Sequence, residues 1–292
     1  MTEKKKKLIF IALIALFGTV FLVSAWLLGS YLLDSYLQGI RYDELLSMME
    51  NVQSQRPTLP TDPGPTDAAA TDPEEPTDPV ETEPPGPQLV DVVDPDTGET
   101  VSVLPEYAQL YLMNTDMVGW INIPGTEVNY PVMQTPDSPD YYLKRNFDKQ
   151  SNSHGCLYAR EVCDINKPSD NITIYGHFMK DGSMFAALGN YREKSFWEEH
   201  RYLTFDTLTE YHIYEVMAVF VTTASVGEGF SYHEFVDAAD EEEFLKYFHT
   251  CKRLGLYNTG VDAEFGDKFI TLSTCEYSQV NGRLVVVAKR ID

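Results

Sequence analysis

From Leu8 to Leu33 the chain carries no charged residue, a run of 26 apolar or small positions. That run exceeds the roughly 20 residues a helix needs to cross a bilayer. A cleaved signal peptide would have a shorter apolar stretch ending at small residues, whereas Tyr31-Leu32-Leu33 closes this one, so residues 8–33 read as an uncleaved anchor. Past it, Leu37, Leu45, Met48, Met49 and Val52 recur at helical spacing, which extends the helix as a stalk over 34–56. No periodicity continues into 57–88. Pro57 to Pro87 holds ten prolines and eight acidic residues, with Thr-Asp-Pro repeated, and such a segment cannot bury enough apolar area to offset the entropy of ordering it. It reads as an extended linker that would hold the rest of the chain as far as roughly 100 Å from the membrane.

Regular patterning resumes in 90–292. Leu104 to Met113 has helical spacing, and short β-type runs follow at 119–123, 128–133, 155–158, 172–175, 203–205, 211–223, 268–273 and 284–289. Strands this short and this numerous predict a mainly β domain, a sandwich or a closed barrel. Helical patterns interrupt them at 184–191 and, over a longer stretch, at 234–254, whose acidic run Asp240 to Glu243 lies toward the end where the helix dipole favours negative charge.

Charge then fixes orientation and removes function classes. Lys4 to Lys7 precede the span and Asp34 follows it. By the positive-inside rule, residues 1–7 are cytoplasmic and everything past the span lies outside. A net charge of −23 leaves no basic surface for nucleic acid. The four cysteines at 156, 163, 251 and 275 match neither zinc-ligand nor redox spacing. No metal, cofactor or disulfide is expected.

Three residue types suited to acyl transfer fall at strand ends. His177 follows Ile172–Tyr175, Cys275 follows Phe269–Leu272, and Arg283 opens the run Leu284–Val287. A thiolate can attack a carbonyl, an imidazole can move protons, and a guanidinium can stabilise an oxyanion. Strand-end histidines and cysteines are also common as plain structural residues, so spacing alone leaves both readings open.

The motifs around these residues carry more. Thr271-Leu272-Ser273-Thr274-Cys275, with Arg283 before a valine-rich strand, resembles the signature of the sortase family, and Ile174-Tyr175-Gly176-His177 resembles that family's histidine segment. Val118 to Thr126, Tyr141-Tyr142-Leu143, Asn146-Phe147 and the helix at 234–254 are similar to class B sortases. The resemblance implies an eight-stranded closed β-barrel (the sortase fold) with an N-terminal helix and a helix inserted before the cysteine strand. It also implies a membrane-anchored transpeptidase, with a thioester on Cys275, proton transfer by His177 and oxyanion stabilisation by Arg283. Substrate contacts would fall to Leu143, Tyr232, Ser273, Thr274 and Glu276. The partners would be secreted proteins bearing a C-terminal sorting signal and an amine acceptor from a peptidoglycan precursor or a pilin, at the membrane of a Gram-positive-type cell.

Two rivals stand beside this. A papain-type protease needs a histidine downstream of its cysteine, and none of the 17 residues after Cys275 is histidine. A caspase-type order lacks the family's cysteine signature. Hydrolysis by the same site stays open, because water can resolve a thioester. An anchored domain on a proline-rich segment also fits a non-catalytic surface-display module.

Overall fold

The computed structural model describes residues 2–50, 56–60, 86–225, 227–278 and 280–292. A single helix, α1 (Glu3–Glu50), runs through the apolar segment and on past it. After the linker come a hairpin of β1 (Val90–Val93) and β2 (Thr100–Val103) and a short helix α2 (Pro105–Met113). Eight strands follow: β3 (Met117–Asn122), β4 (Asn129–Met133), β5 (Leu157–Ala159), β6 (Asn171–Tyr175), β7 (Tyr202–Thr207), β8 (Ile213–Thr223), β9 (Phe269–Glu276) and β10 (Gly282–Arg290). They close into a barrel in the order β10-β8-β7-β3-β4-β5-β6-β9. Closure removes the free sheet edges that short strands would otherwise expose.

Period-two alternation sorts the strands' two faces. On β9 and β10, Ile270, Leu272, Leu284 and Val286 join the barrel's main core around Trp120, Leu157 and Phe185. Phe269, Val285 and Val287 point outward, into a second core under α4 (Glu241–Leu254). There Tyr247 stacks on Phe235 with ring centroids 4.1 Å apart.

The structure shortens two of the expected helices. α4 begins at Glu241 rather than 234, because the Asp240 side chain accepts a hydrogen bond from the Glu243 N–H and caps the helix there. Upstream, Tyr232–Glu234 forms only a 3₁₀ turn. The stretch expected at 184–191 is a 3₁₀ helix over Ala186–Arg192, followed by α3 (Lys194–Glu199).

The stalk segment is helical to Glu50, but it does not stand free. Gln38, Tyr42, Leu45 and Met49 form one buried face, and the last three join the main core. Arg41 makes an ion pair with Asp148 at 2.5 Å, Ser35 Oγ lies 3.2 Å from His154 Nε2, and Tyr31 stacks on the His154 ring. On the far side of the helix end, Arg56 bonds Asp206 at 2.7 Å, and Asp206 also accepts from the Tyr107 hydroxyl. The barrel therefore sits directly on α1. The docked face of α1 precedes the linker in the chain. Most of the linker, residues 61–85, lies outside the described residues.

Candidate active site

The three adjacent strands β6, β9 and β10 set the site. β9 and β10 are antiparallel with Cys275 directly opposite Arg283. Opposed residues project from the same face with Cβ atoms about 4.5–5.5 Å apart. β6 runs parallel to β9 with Tyr175 beside Ser273, and the ladder continues as Gly176 N–H donates to Ser273 O at 3.1 Å. Two residues beyond Tyr175, His177 thus comes abreast of Cys275 on the same outward face. Cys275, His177 and Arg283 are all half-buried.

The outward face of β9 explains why the site opens where it does. Thr271 bonds Tyr247 OH at 3.0 Å, and Ser273 bonds Tyr232 OH at 2.6 Å. The aromatic cover then ends, and Cys275, the next residue on that face, emerges from beneath it. The other three cysteines are buried free thiols. Burial pushes Cys156 and Cys251 up to about 12 and raises Cys163, which keeps them protonated and unreactive.

His177 is fixed from three sides. Its Nε2 bonds the Leu143 carbonyl at 2.7 Å, and its own carbonyl accepts from Phe185 N–H at 3.0 Å. Gly176 before it is packed so closely on Leu157 and Phe185 that an added Cβ would overlap both. A carbonyl oxygen only accepts, so Nε2 carries a hydrogen. The Leu143 carbonyl packs closely against Gly155, where a Cβ would stand 2.6 Å from the carbonyl oxygens of both Tyr142 and Leu143. Arg283 is anchored through Nη1 to Gly282 O at 2.9 Å.

Glu276 turns away from its neighbour. It makes an ion pair with Arg192 at 2.6 Å and accepts from Ser278 Oγ at 2.7 Å and Ser278 N–H at 2.9 Å. Partial burial acts in the opposite sense, but the Ser278 bonds, Arg192 and the Tyr277 N–H together hold this carboxyl below its ordinary range. Its charge is therefore compensated beside the thiol.

Of the five expected substrate contacts, Ser273 and Tyr232 meet each other, Leu143 serves His177 through its backbone, and Glu276 lies beside Cys275. Thr274 faces the opposite way. It is 2 % exposed and alternates with Leu272 toward the barrel interior, and its hydroxyl is a buried group without a partner among the described residues. Its side chain is on the wrong face to touch a substrate at Cys275. Arg192 and Gly155 were invisible in the sequence because their partners, Glu276 and Leu143, lie 84 and 12 residues away. Among the described residues no group of three or more potential ligands could hold a metal ion.

The chain is similar in sequence and fold to known proteins. The sortase domain family model matches residues 121–291. Sortase B of Staphylococcus aureus is 33% identical over 191 residues, covering 65% of this chain and 76% of that protein. Sortase B of Listeria monocytogenes is 37% identical over 190 residues, covering 64% and 74%. Among solved structures, a Staphylococcus aureus sortase B–substrate complex superposes with a TM-score of 0.60 at 31% identity, covering 65% of this chain and 86% of that one. Clostridium perfringens sortase B superposes with a TM-score of 0.58 at 30% identity, covering 63% and 98%.

Proposed function

The chain belongs to the sortase family, and from that premise we propose how its own residues carry out the reaction. It is a class B-like cysteine transpeptidase of cell-wall anchoring. In the proposed mechanism Cys275 Sγ, its proton held by His177 Nδ1, attacks the carbonyl at the cleavage point of a sorting signal on a secreted protein. The new C–S bond forms as the carbonyl π electrons move onto oxygen, and the Arg283 guanidinium stabilises that oxyanion. Collapse expels the amine of the departing segment, to which His177 delivers a proton. An amine from a peptidoglycan precursor or a pilin then attacks the thioester and loses a proton to His177. The second tetrahedral state collapses, an amide forms, and Cys275 is released.

The observation that carries this reading is the register. Cys275 lies opposite Arg283, and the β6–β9 ladder brings His177 abreast of both. With Nε2 committed to Leu143 O, Nδ1 is the ring nitrogen available for proton exchange. Ser273 and Tyr232, both buried, would support the floor beside Cys275 rather than touch the sorting signal. Glu276, on the same strand parity as Thr274 and paired with Arg192, would flank the site without lining it. In the same proposal Leu8–Leu33 spans the membrane, residues 1–7 stay inside, and the barrel faces out.

Incubation with a library of pentapeptide sorting motifs, followed by intact-mass spectrometry, tests it. A mass increment equal to an acyl fragment, lost with hydroxylamine and missing in Cys275→Ala, is the expected result. A fully alkylatable Cys275 that forms no adduct with any motif would overturn the assignment.

A further inference from the structure

The geometry points to the rim of the barrel around Lys180 as a membrane-contacting surface, held in the headgroup layer by docking of the anchor helix. We infer that the catalytic centre therefore works just above the bilayer rather than at the end of a tether. This rests on the reading of Leu8–Leu33 as a membrane span.

The first fact is the position of the docking contacts along α1. The apolar run ends at Leu33, and the barrel begins to touch the helix at Tyr31 and Ser35. Tyr31 stacks on His154 at 6.1 Å between centroids. Ser35 Oγ lies 3.2 Å from His154 Nε2, and that nitrogen lies 2.8 Å from Asp181 Oδ2. At 1.5 Å per residue, Ser35 is only about 3 Å beyond Leu33 along the axis. The headgroup layer on each side of a bilayer is roughly 5–8 Å deep, the difference between its full thickness and its hydrocarbon core. A contact at Ser35 falls inside that layer.

Rigidity is the second fact. α1 is continuous from Glu3 to Glu50, so no hinge separates the span from the docked face at Tyr42, Leu45 and Met49. His154 is 1% exposed although polar, and its ring is gripped by helix and barrel together. Asp181 also accepts from Ser183 Oγ at 2.6 Å and Ser183 N–H at 3.1 Å, which ties the turn bounded by the Phe178–Met184 bridge.

Third, the turn that carries Asp181 is the turn that leaves His177. Three residues lie between them, at most about 14 Å of extended chain. Lys180, at the exposed edge of that turn, presents an ammonium to the lipid phosphates. On the opposite side of the helix, Tyr36 is 66% and Leu37 53% exposed, an aromatic-apolar pair suited to the interface where tyrosines concentrate. Adding the roughly 3 Å rise at Ser35, the side-chain relay through His154 Nε2 to Asp181 and the chain back to His177 places His177 at most about 30 Å from the hydrocarbon edge.

Fluorescence quenching in vesicles tests this with the full-length protein. The protein is reconstituted into phosphatidylcholine vesicles with and without brominated acyl chains. In the parent chain Trp26 reports the span, while Trp120 and Trp197 are buried in the barrel and give a constant background. The double variant Trp26→Phe/Lys180→Trp should lose emission in the brominated vesicles. Trp26→Phe/Leu112→Trp should not, because Leu112 is on α2, which packs near the far end of the docked face. If Trp26 is quenched and the tryptophan at 180 behaves like that at 112, the barrel stands off the membrane and the inference is wrong. If Trp26 itself is unquenched, the span reading fails first.

Discussion

Gly155 offers the sharpest test of how His177 is held. Its φ is +61°, and an added methyl would sit 2.6 Å from the carbonyl oxygens of Leu143 and Tyr142. Leu143 O is the acceptor for His177 Nε2 at 2.7 Å. Gly155→Ala therefore carries two costs. A left-handed alanine costs about 1–2 kcal/mol, partly offset by about 0.4–1 kcal/mol from the stiffer unfolded chain. Forcing a methyl into a packed site adds typically 1–3 kcal/mol. The sum is a loss of about 1–5 kcal/mol in stability. Gly98→Ala is the matched control, since Gly98 has φ +75° and open space where the methyl would go, so it bears the backbone cost alone. The functional consequence separates the two further. To relieve the overlap the Leu143 carbonyl must shift by several tenths of an ångström, and the imidazole moves with it. A misplacement of about 1 Å in a catalytic group can cost roughly 10²-fold, so a partial shift should lower kcat about tenfold while KM stays close to its starting value. Denaturant unfolding and steady-state cleavage of a fluorogenic sorting peptide read both quantities. If Gly155→Ala is destabilised as expected yet turns over at the parent rate, the Leu143 carbonyl does not position His177.

Further outcomes follow from other contacts. Arg283→Lys keeps the charge but not the forked donor geometry, and should cost about 10²–10³ in kcat with an unchanged circular dichroism spectrum; near-parental turnover would mark the arginine as structural. Arg192→Ala removes the compensating charge from Glu276, leaving a freer carboxylate beside Cys275. The Glu276 carboxyl, followed by NMR, should then titrate at higher pH than in the parent, because Arg192 is among the groups that hold it low, and an unmoved midpoint would show that the ion pair contributes nothing. Asp181 is subject to desolvation, which acts to raise its pKa, but its bonds to Ser183, His154 and Ser35 outweigh this and hold the carboxyl well below its ordinary range. A depressed carboxylate contributes stability above its unfolded pKa and loses it as pH falls toward its folded one. Asp181→Asn should therefore be destabilised at neutral pH, with the gap to the parent narrowing in acid. A gap independent of pH would contradict this.

Features that depend on local pattern were legible along the chain. An unbroken apolar run marks a helix because nothing in it interrupts one, and it ends where Asp34 begins. All eight barrel strands were legible within a few residues, since period-two runs of Val, Ile, Thr and Tyr bounded by Gly, Pro and Asp report a pleated, half-buried surface. The β1–β2 hairpin was not, because Val90–Val93 and Thr100–Val103 are largely exposed and show no apolar face. Strand ends could be placed, so His177, Cys275 and Arg283 could be placed at them. Which strands lie side by side is a property of closure, and no local signal carries it. The parallel β6–β9 pairing joins residues about a hundred positions apart, and only that pairing brings His177 abreast of Cys275. The face presented by Thr274 also depended on the register that assigns inside and outside. Docking of α1 was hidden for a related reason. Its buried stripe includes Gln38 and Tyr42, residues ordinarily placed toward water, and they become interior only because Tyr130, Cys156 and the rest of the barrel wall pack against that side of the helix.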